Sequence, residues 1–178
     1  MNYYLAAIML FISTSLAALT PPHYIRYENA LFNYQIFYPD FLNHVPQHLG
    51  DNKQRFINKE VSMEVLAQFA KAPIGDKATY TDLIKRYYQE KTNALKQQNY
   101  TIDASKLIIN GYWLMASNAK HSIYYKSVLV APCGVHLLLQ ITYPKTNPDH
   151  WQTIIANISN SFSYSSKHCV GNYENFMY

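Results

Sequence analysis

The 178 residues are 49% hydrophobic and only 15% charged, which suits one packed domain plus a targeting segment and argues against a disordered chain. The net charge of +4 comes from scattered lysines and arginines with no run longer than Lys85-Arg86, unlike the basic stripe of a nucleic-acid binder. Seventeen tyrosines suit strands with half-buried faces; the alternative reading is a sticky surface for a partner.

The first 20 residues carry an apolar run over 5–12, then Ser13-Thr14-Ser15 and small side chains. Ser15 and Ala17 stand at the −3 and −1 positions of a secretory cleavage site, so residues 1–17 read as a signal peptide, with Ala18 as second choice. The run is shorter than the roughly 20 apolar residues of a membrane-spanning helix. No Lys or Arg precedes it, so a retained membrane anchor is the alternative. No Cys follows it, which argues against a lipoprotein. The expected organisation is therefore a signal peptide (1–17), an α/β domain (18–163) and a tail (164–178), placed in the periplasm or the medium.

Pro21-Pro22 opens the mature chain, and short strands follow over residues 23–28 and 32–38. Residues 42–58, with Pro46, Gly50 and Asp51-Asn52, read as a long loop. Val61, Met63, Val65, Ala67 and Phe69 alternate along a strand, with Ser62, Glu64 and Gln68 pointing away. The stretch 72–76 is turn-rich. A helix capped by Thr79 or Thr81, with Asp82 in its first turn, runs to about Gln98 and buries Ile84, Tyr87, Tyr88 and Leu95. Asn110-Gly111 predicts a hairpin between strands 101–109 and 112–117. Strands 121–131 and 135–143 flank Pro132-Cys133-Gly134. Asn147-Pro148 then starts a helix with Trp151, Ile154, Ile155, Ile158 and Phe162 as its apolar stripe. Successive hairpins imply a mostly antiparallel sheet of about six to seven strands, with helices on both faces.

Patterns that carry catalysis are missing from the sequence: it has no G-x-S-x-G, no H-E-x-x-H and no C-x-x-C, and five glycines leave little for a phosphate loop. His44 and His48 have the i, i+4 spacing of helix-borne metal ligands, but Pro46 between them argues for loop. A turn near Cys133 pairs His136 with about Val130 and His121 with about Lys145, so these two histidines do not face each other. No metal site and no cofactor is expected. Asp40, Asp51, Asp76, Asp103 and Asp149 fall beside turns or helix starts, where carboxylates form turns and caps. Two cysteines in an exported chain favour a Cys133–Cys169 disulfide, with a pair of free buried thiols as the alternative. A bridge closing that loop stabilises by roughly 3–4 kcal/mol. Within the long loop, Asp51, Asn52, Lys53, Gln54 and Arg55 form the candidate contact surface for a partner, against a plain crossover.

Several local motifs occur in the order found in one known family. They are Tyr27-Glu28-Asn29-Ala30 with residues 32–39, the stretch 50–56, the Gly111-Tyr112-Trp113 strand, Ile123-Tyr124-Tyr125-Lys126, and Ile141-Thr142-Tyr143-Pro144 leading to Ser161-Phe162. In these the chain resembles the exported bacterial branch of the PsbP-like superfamily over residues 24–163. It departs at Ala119-Lys120, where a glycine-rich turn is usual, and in its cysteine-bearing tail. The resemblance implies an α-β-α sandwich. It also implies a non-enzymatic role, since the best-known relatives are an extrinsic subunit supporting photosynthetic water oxidation and a Ran-binding protein. It supplies no catalytic residue. The expectation is an exported binding or accessory protein with an unknown envelope partner, binding no nucleic acid and keeping no membrane span after processing. The alternatives are a small-ligand or metal carrier, or a hydrolase, using a pocket between sheet and helix.

Overall fold

Residues 21–46, 52–69, 80–130 and 133–165 are described by the structure, a computed structural model. In chain order the elements are β1 (Tyr24–Asn29), β2 (Tyr34–Pro39), β3 (Asn43–Val45), β4 (Lys53–Ile57), β5 (Ser62–Phe69) and α1 (Tyr80–Gln97). They continue with β6 (Thr101–Ile108), β7 (Gly111–Ser117), β8 (His121–Val130), β9 (Val135–Pro144), α2 (Pro148–Ser161) and β10 (Ser163–Tyr164). Seven strands form the main sheet in the order β3-β4-β5-β9-β8-β7-β6, each antiparallel to its neighbours. A second sheet of three strands runs β1-β2-β10.

Strand alternation gives the main sheet two faces, and each acquires its own core. One face presents Met63, Val65, Ala67, Tyr124, Leu137, Leu139 and Ile141. Against it pack Trp151, Ile154, Ile155 and Ile158 of α2, with Tyr34, Ile36 and Tyr38 of β2 beside them. The opposite face presents Tyr112, Leu114, Ala116, Ile123, Tyr125 and Leu129 to Leu83, Ile84 and Leu95 of α1. Each such side chain taken out of water contributes about 1.5–3 kcal/mol. The result is the expected three-layer arrangement, with helices on both faces of an antiparallel sheet.

Two expectations need correction. Residues 42–58 are not a plain loop, because they carry β3 and β4, which extend the main sheet beyond β5. The first two strands do pair with each other, but they stand apart from the main sheet and cover it together with α2. The signal segment, Thr79, the turn at 72–76 and most of the tail lie outside the described residues. The domain reaches at least Tyr164, since β10 pairs with β2.

Asparagine does much of the turn work in this glycine-poor chain. Asn33, Asn99 and Asn147 have φ of 48°, 61° and 54°, the left-handed region that asparagine tolerates. At the end of α1 the Tyr100 N–H donates to the Leu95 carbonyl and the Asn99 N–H to the Lys96 carbonyl, the double bond of a Schellman cap with Asn99 in the place glycine usually takes. Asn118 Oδ1 accepts from the N–H groups of Lys120 and His121, so the turn at Ala119-Lys120 closes without glycine.

The Asn110-Gly111 signal locates the hairpin but not the reason for its glycine. Ile109 and Asn110 form the two-residue connection, and Gly111 is the first residue of β7 opposite Ile108. A Cβ there would stand 1.9 Å from the Ser127 carbonyl oxygen, so Gly111 answers to close strand approach.

Candidate functional site

Period-two alternation splits the candidate contact surface between the two faces of β4. Lys53 and Arg55 project to the same side as Glu64 of β5, while Gln54 turns under the sheet and is buried. Gln54 Oε1 lies 2.9 Å from His44 Nε2 of β3, an arrangement that ties the edge strand down. Asn52 is exposed at the start of the strand, and Asp51 lies outside the described residues. Of the four described positions, then, the structure brings Lys53 and Arg55 together as a pair of cations.

Both cations share one carboxylate. Lys53 Nζ stands 2.9 Å from Glu64 Oε2, and Arg55 Nε lies 3.1 Å from Glu64 Oε1 without the alignment of a hydrogen bond. The two cationic side chains are 48% and 43% exposed, so this pairing adds little to stability and keeps the groups available to a partner. Among the described residues, α1 packs mainly over β6 and β7, towards the other end of the sheet.

Between this charged pair and α1 lies a cleft of about 180 Å3, floored by Leu66, Tyr125 and Leu138. Lys91 of α1 reaches over it, its Nζ 4.2 Å above the centre of the Tyr125 ring and donating to Gln140 Oε1 at 2.8 Å. Burial pulls the Lys91 pKa below the ordinary lysine value, with Glu64 pulling the other way. The sequence reading passed over Lys91. Its signal was present, because residue 91 falls four after Tyr87 and four before Leu95, on the buried stripe of the helix.

The opposite face carries a larger groove, about 370 Å3, between α2 and the uncovered parts of β6 and β7, with Ile108, Trp113 and Met115 on its wall. Lys126 stands at its inner end and donates to the Ser159 carbonyl at 2.6 Å; burial lowers its pKa too. Tyr124 and Ser159 hydroxyls meet beside it at 2.7 Å.

A serine–histidine contact exists in the core but has no access to substrate. Ser127 Oγ lies 2.7 Å from His136 Nε2, and the two residues are 2% and 3% exposed. The imidazole stacks on the Tyr87 ring at 4.4 Å, its Nδ1 makes no hydrogen bond, and burial lowers its pKa to about 4. The pair therefore fills and orders the layer beneath α1. His121 and His136 sit opposite Pro144 and Leu129, at opposite ends of β8 and β9, one residue from the expected register. His44 is on a strand, and His48 lies outside the described residues. Among the described residues no three His, Cys, Asp or Glu side chains converge. Cys133 is buried just before β9, and Cys169 lies outside the described residues.

Tyrosine serves the interior. Every described tyrosine with a placed side chain is buried or half-buried, from Tyr34 and Tyr112 in the two cores to Tyr87 and Tyr88 along α1. None of these forms an exposed aromatic patch.

The sequence matches no protein-family model and no curated protein. Solved structures do match in shape. The solution structure of cyanobacterial PsbP (CyanoP) from Synechocystis sp. PCC 6803 aligns with a TM-score of 0.56 at 15% identity, over 84% of this chain and 97% of that one. The Ran-binding protein Mog1p of Saccharomyces cerevisiae aligns with a TM-score of 0.58 at 9% identity, over 82% and 97%. The fold is PsbP-like. Within the PsbP-like fold of this chain, the charged pair and the cleft both sit at the β4–β5 end of the face that α1 packs on. Among the described residues no helix is long and apolar enough to cross a membrane.

Proposed function

We propose that this chain is an exported, non-enzymatic binding protein of the cell envelope, from the bacterial branch of the PsbP-like proteins, and that it docks a protein partner through the Lys53 and Arg55 face of β4 and β5. The observation that carries the reading is the placement of Lys53 and Arg55, side by side and half in water on a sheet face that neither described helix covers. The fold supports it as well, since a protein of the same shape is by name a Ran-binding protein. Cleavage after Ala17 and a Cys133–Cys169 bridge belong to the same reading.

In-cell crosslinking of a tagged, processed protein tests the proposal. Wild type is expected to recover one envelope protein reproducibly. The double variant Lys53→Glu, Arg55→Glu is expected to lose it by roughly ten-fold while keeping the wild-type melting point. Recovery unchanged by the double charge reversal overturns the docking surface. A second reading, a small-ligand carrier, is favoured by the groove walled by Trp113 and Met115, whose volume falls in the range of ligand pockets. Intact-complex mass spectrometry of protein purified from its own cells checks that reading: a co-purifying small molecule lost on Trp113→Ala supports it, and clean apoprotein does not.

A further inference from the structure

We propose that the cleft beside Lys91 is an anion site, taking a carboxylate or phosphate group on a compact body, with Lys91 and Lys53 as the groups that hold it. The inference deepens the binding reading and rests on it for biological context, but the chemistry stands on the cleft itself. Lys53, Arg55 and Lys91 gather around a single carboxylate, Glu64. That carboxylate is already divided between Lys53 and Arg55 at 2.9 and 3.1 Å. Lys91 is left with the Gln140 amide oxygen and the Tyr125 ring as its direct contacts, and Glu64 acts on it only through space. One of its three N–H donors goes to Gln140 and one is answered by the ring face, so one remains for a ligand.

A half-buried ammonium that no carboxylate touches, with Glu64 offsetting only part of its desolvation, is an unfavourable arrangement for a folded chain, and replacing Lys91 by an apolar residue of similar length would relieve it. The cation is nonetheless held at the mouth of a cavity, pinned by Gln140 over an aromatic floor. Those are the features of a charge kept ready for a counter-ion. The 180 Å3 volume has room for about six waters, the bulk of a phosphate or a short carboxylic acid. Leu66, Leu138 and the face of Tyr125 offer an apolar stub a wall, and Lys53 and Lys91 set against Glu64 leave the lining with one positive charge in excess.

NMR on the labelled, processed protein at low ionic strength tests this, with inorganic phosphate and benzoate as separate probes. Saturable shifts are expected at the Lys91 side chain and at the amides of Leu66, Tyr125 and Gln140, with half-saturation around a millimolar. The Lys91 titration is expected to move to higher pH when either probe is bound. Lys91→Met should weaken binding roughly ten-fold at a melting point equal to or above wild type, with Lys91→Arg retaining binding. If Lys91→Met proves unfolded, Lys91→Gln takes its place. Shifts that never saturate, or that survive the loss of Lys91, overturn the site. The source of the anion follows from a further arm: phosphate that competes with partner crosslinking places the acidic group on the partner, and phosphate without effect makes the ligand a free small molecule. Because the titration needs no partner, an absent anion site leaves the docking surface standing, and a failed crosslink leaves the anion site standing.

Discussion

His136 is where a single side chain couples this fold to pH. Its ring lies between β9 and α1, stacked on Tyr87, and the fold keeps it neutral down to about pH 4. In the unfolded chain the same ring takes up a proton near pH 6.5. Above that pH both states hold it neutral and its contribution is intact. As pH falls from 6.5 towards 4 the unfolded state binds the extra proton, and the protein loses up to about 3 kcal/mol. Urea unfolding at pH 7.5 and 4.5 reads this directly: His136→Gln should be less sensitive to the acid step than wild type by about 2–3 kcal/mol. Equal sensitivity in the two proteins would mean that the ring is protonated, or exposed, in the native state.

Asn147 shows how the elements begin and end. The sequence places it as the side-chain cap of α2 with Pro148 as the first helical residue, and the position is right, but the side chain makes no capping bond. What asparagine supplies is the left-handed backbone that feeds the chain into the helix, with the Trp151 N–H donating to the Asn147 carbonyl. The order of melting points is therefore expected to be Asn147→Gly at or above wild type, with Asn147→Ser and Asn147→Ala both about 1 kcal/mol less stable. A serine as good as asparagine would restore the capping role.

The same contrast runs through what the sequence discloses about the other elements. Strands such as Ser62–Phe69 and Val135–Pro144 announce themselves because Met63, Val65 and Ala67 in the first, and Val135, Leu137, Leu139 and Ile141 in the second, make an unbroken apolar face. Residues Lys53–Ile57 alternate as well, but their inward positions are Gln54 and Phe56, and the buried Gln54 meets His44 of a neighbouring strand. A satisfied polar pair looks like a loop to any reading based on hydrophobicity. Of the candidate surface, Lys53 and Arg55 lie half in water while Gln54 is turned inward. The cleft stayed hidden because it is assembled from α1, β4, β5, β8 and β9, whose juxtaposition depends on strand order.

At the scale of the whole molecule, the mature ends of the chain matter most. Intact mass of secreted protein, alkylated without reduction, is expected to show loss of residues 1–17 and no label on Cys133 or Cys169. Retained Met1 in secreted material counts against processing, and label on both thiols counts against the bridge. Reduction should then lower stability by roughly 3–4 kcal/mol.

Strand β2 has one edge filled by β1, its immediate neighbour in the chain, and the other by β10, which arrives last. Gln35 Nε2 donates to Ser163 Oγ across 128 residues, and the Phe37 N–H donates to Ser161 Oγ at the end of α2. A polypeptide that emerges amino terminus first, from a ribosome or through a narrow channel, thus shows its smaller sheet early and cannot complete it until residue 164 is out. Until that moment Tyr34, Ile36 and Tyr38 lack the α2 side of their core and stay within reach of any holding factor that grips exposed apolar strands. Closure of the smaller sheet therefore waits on the residues that reach it last in the sequence.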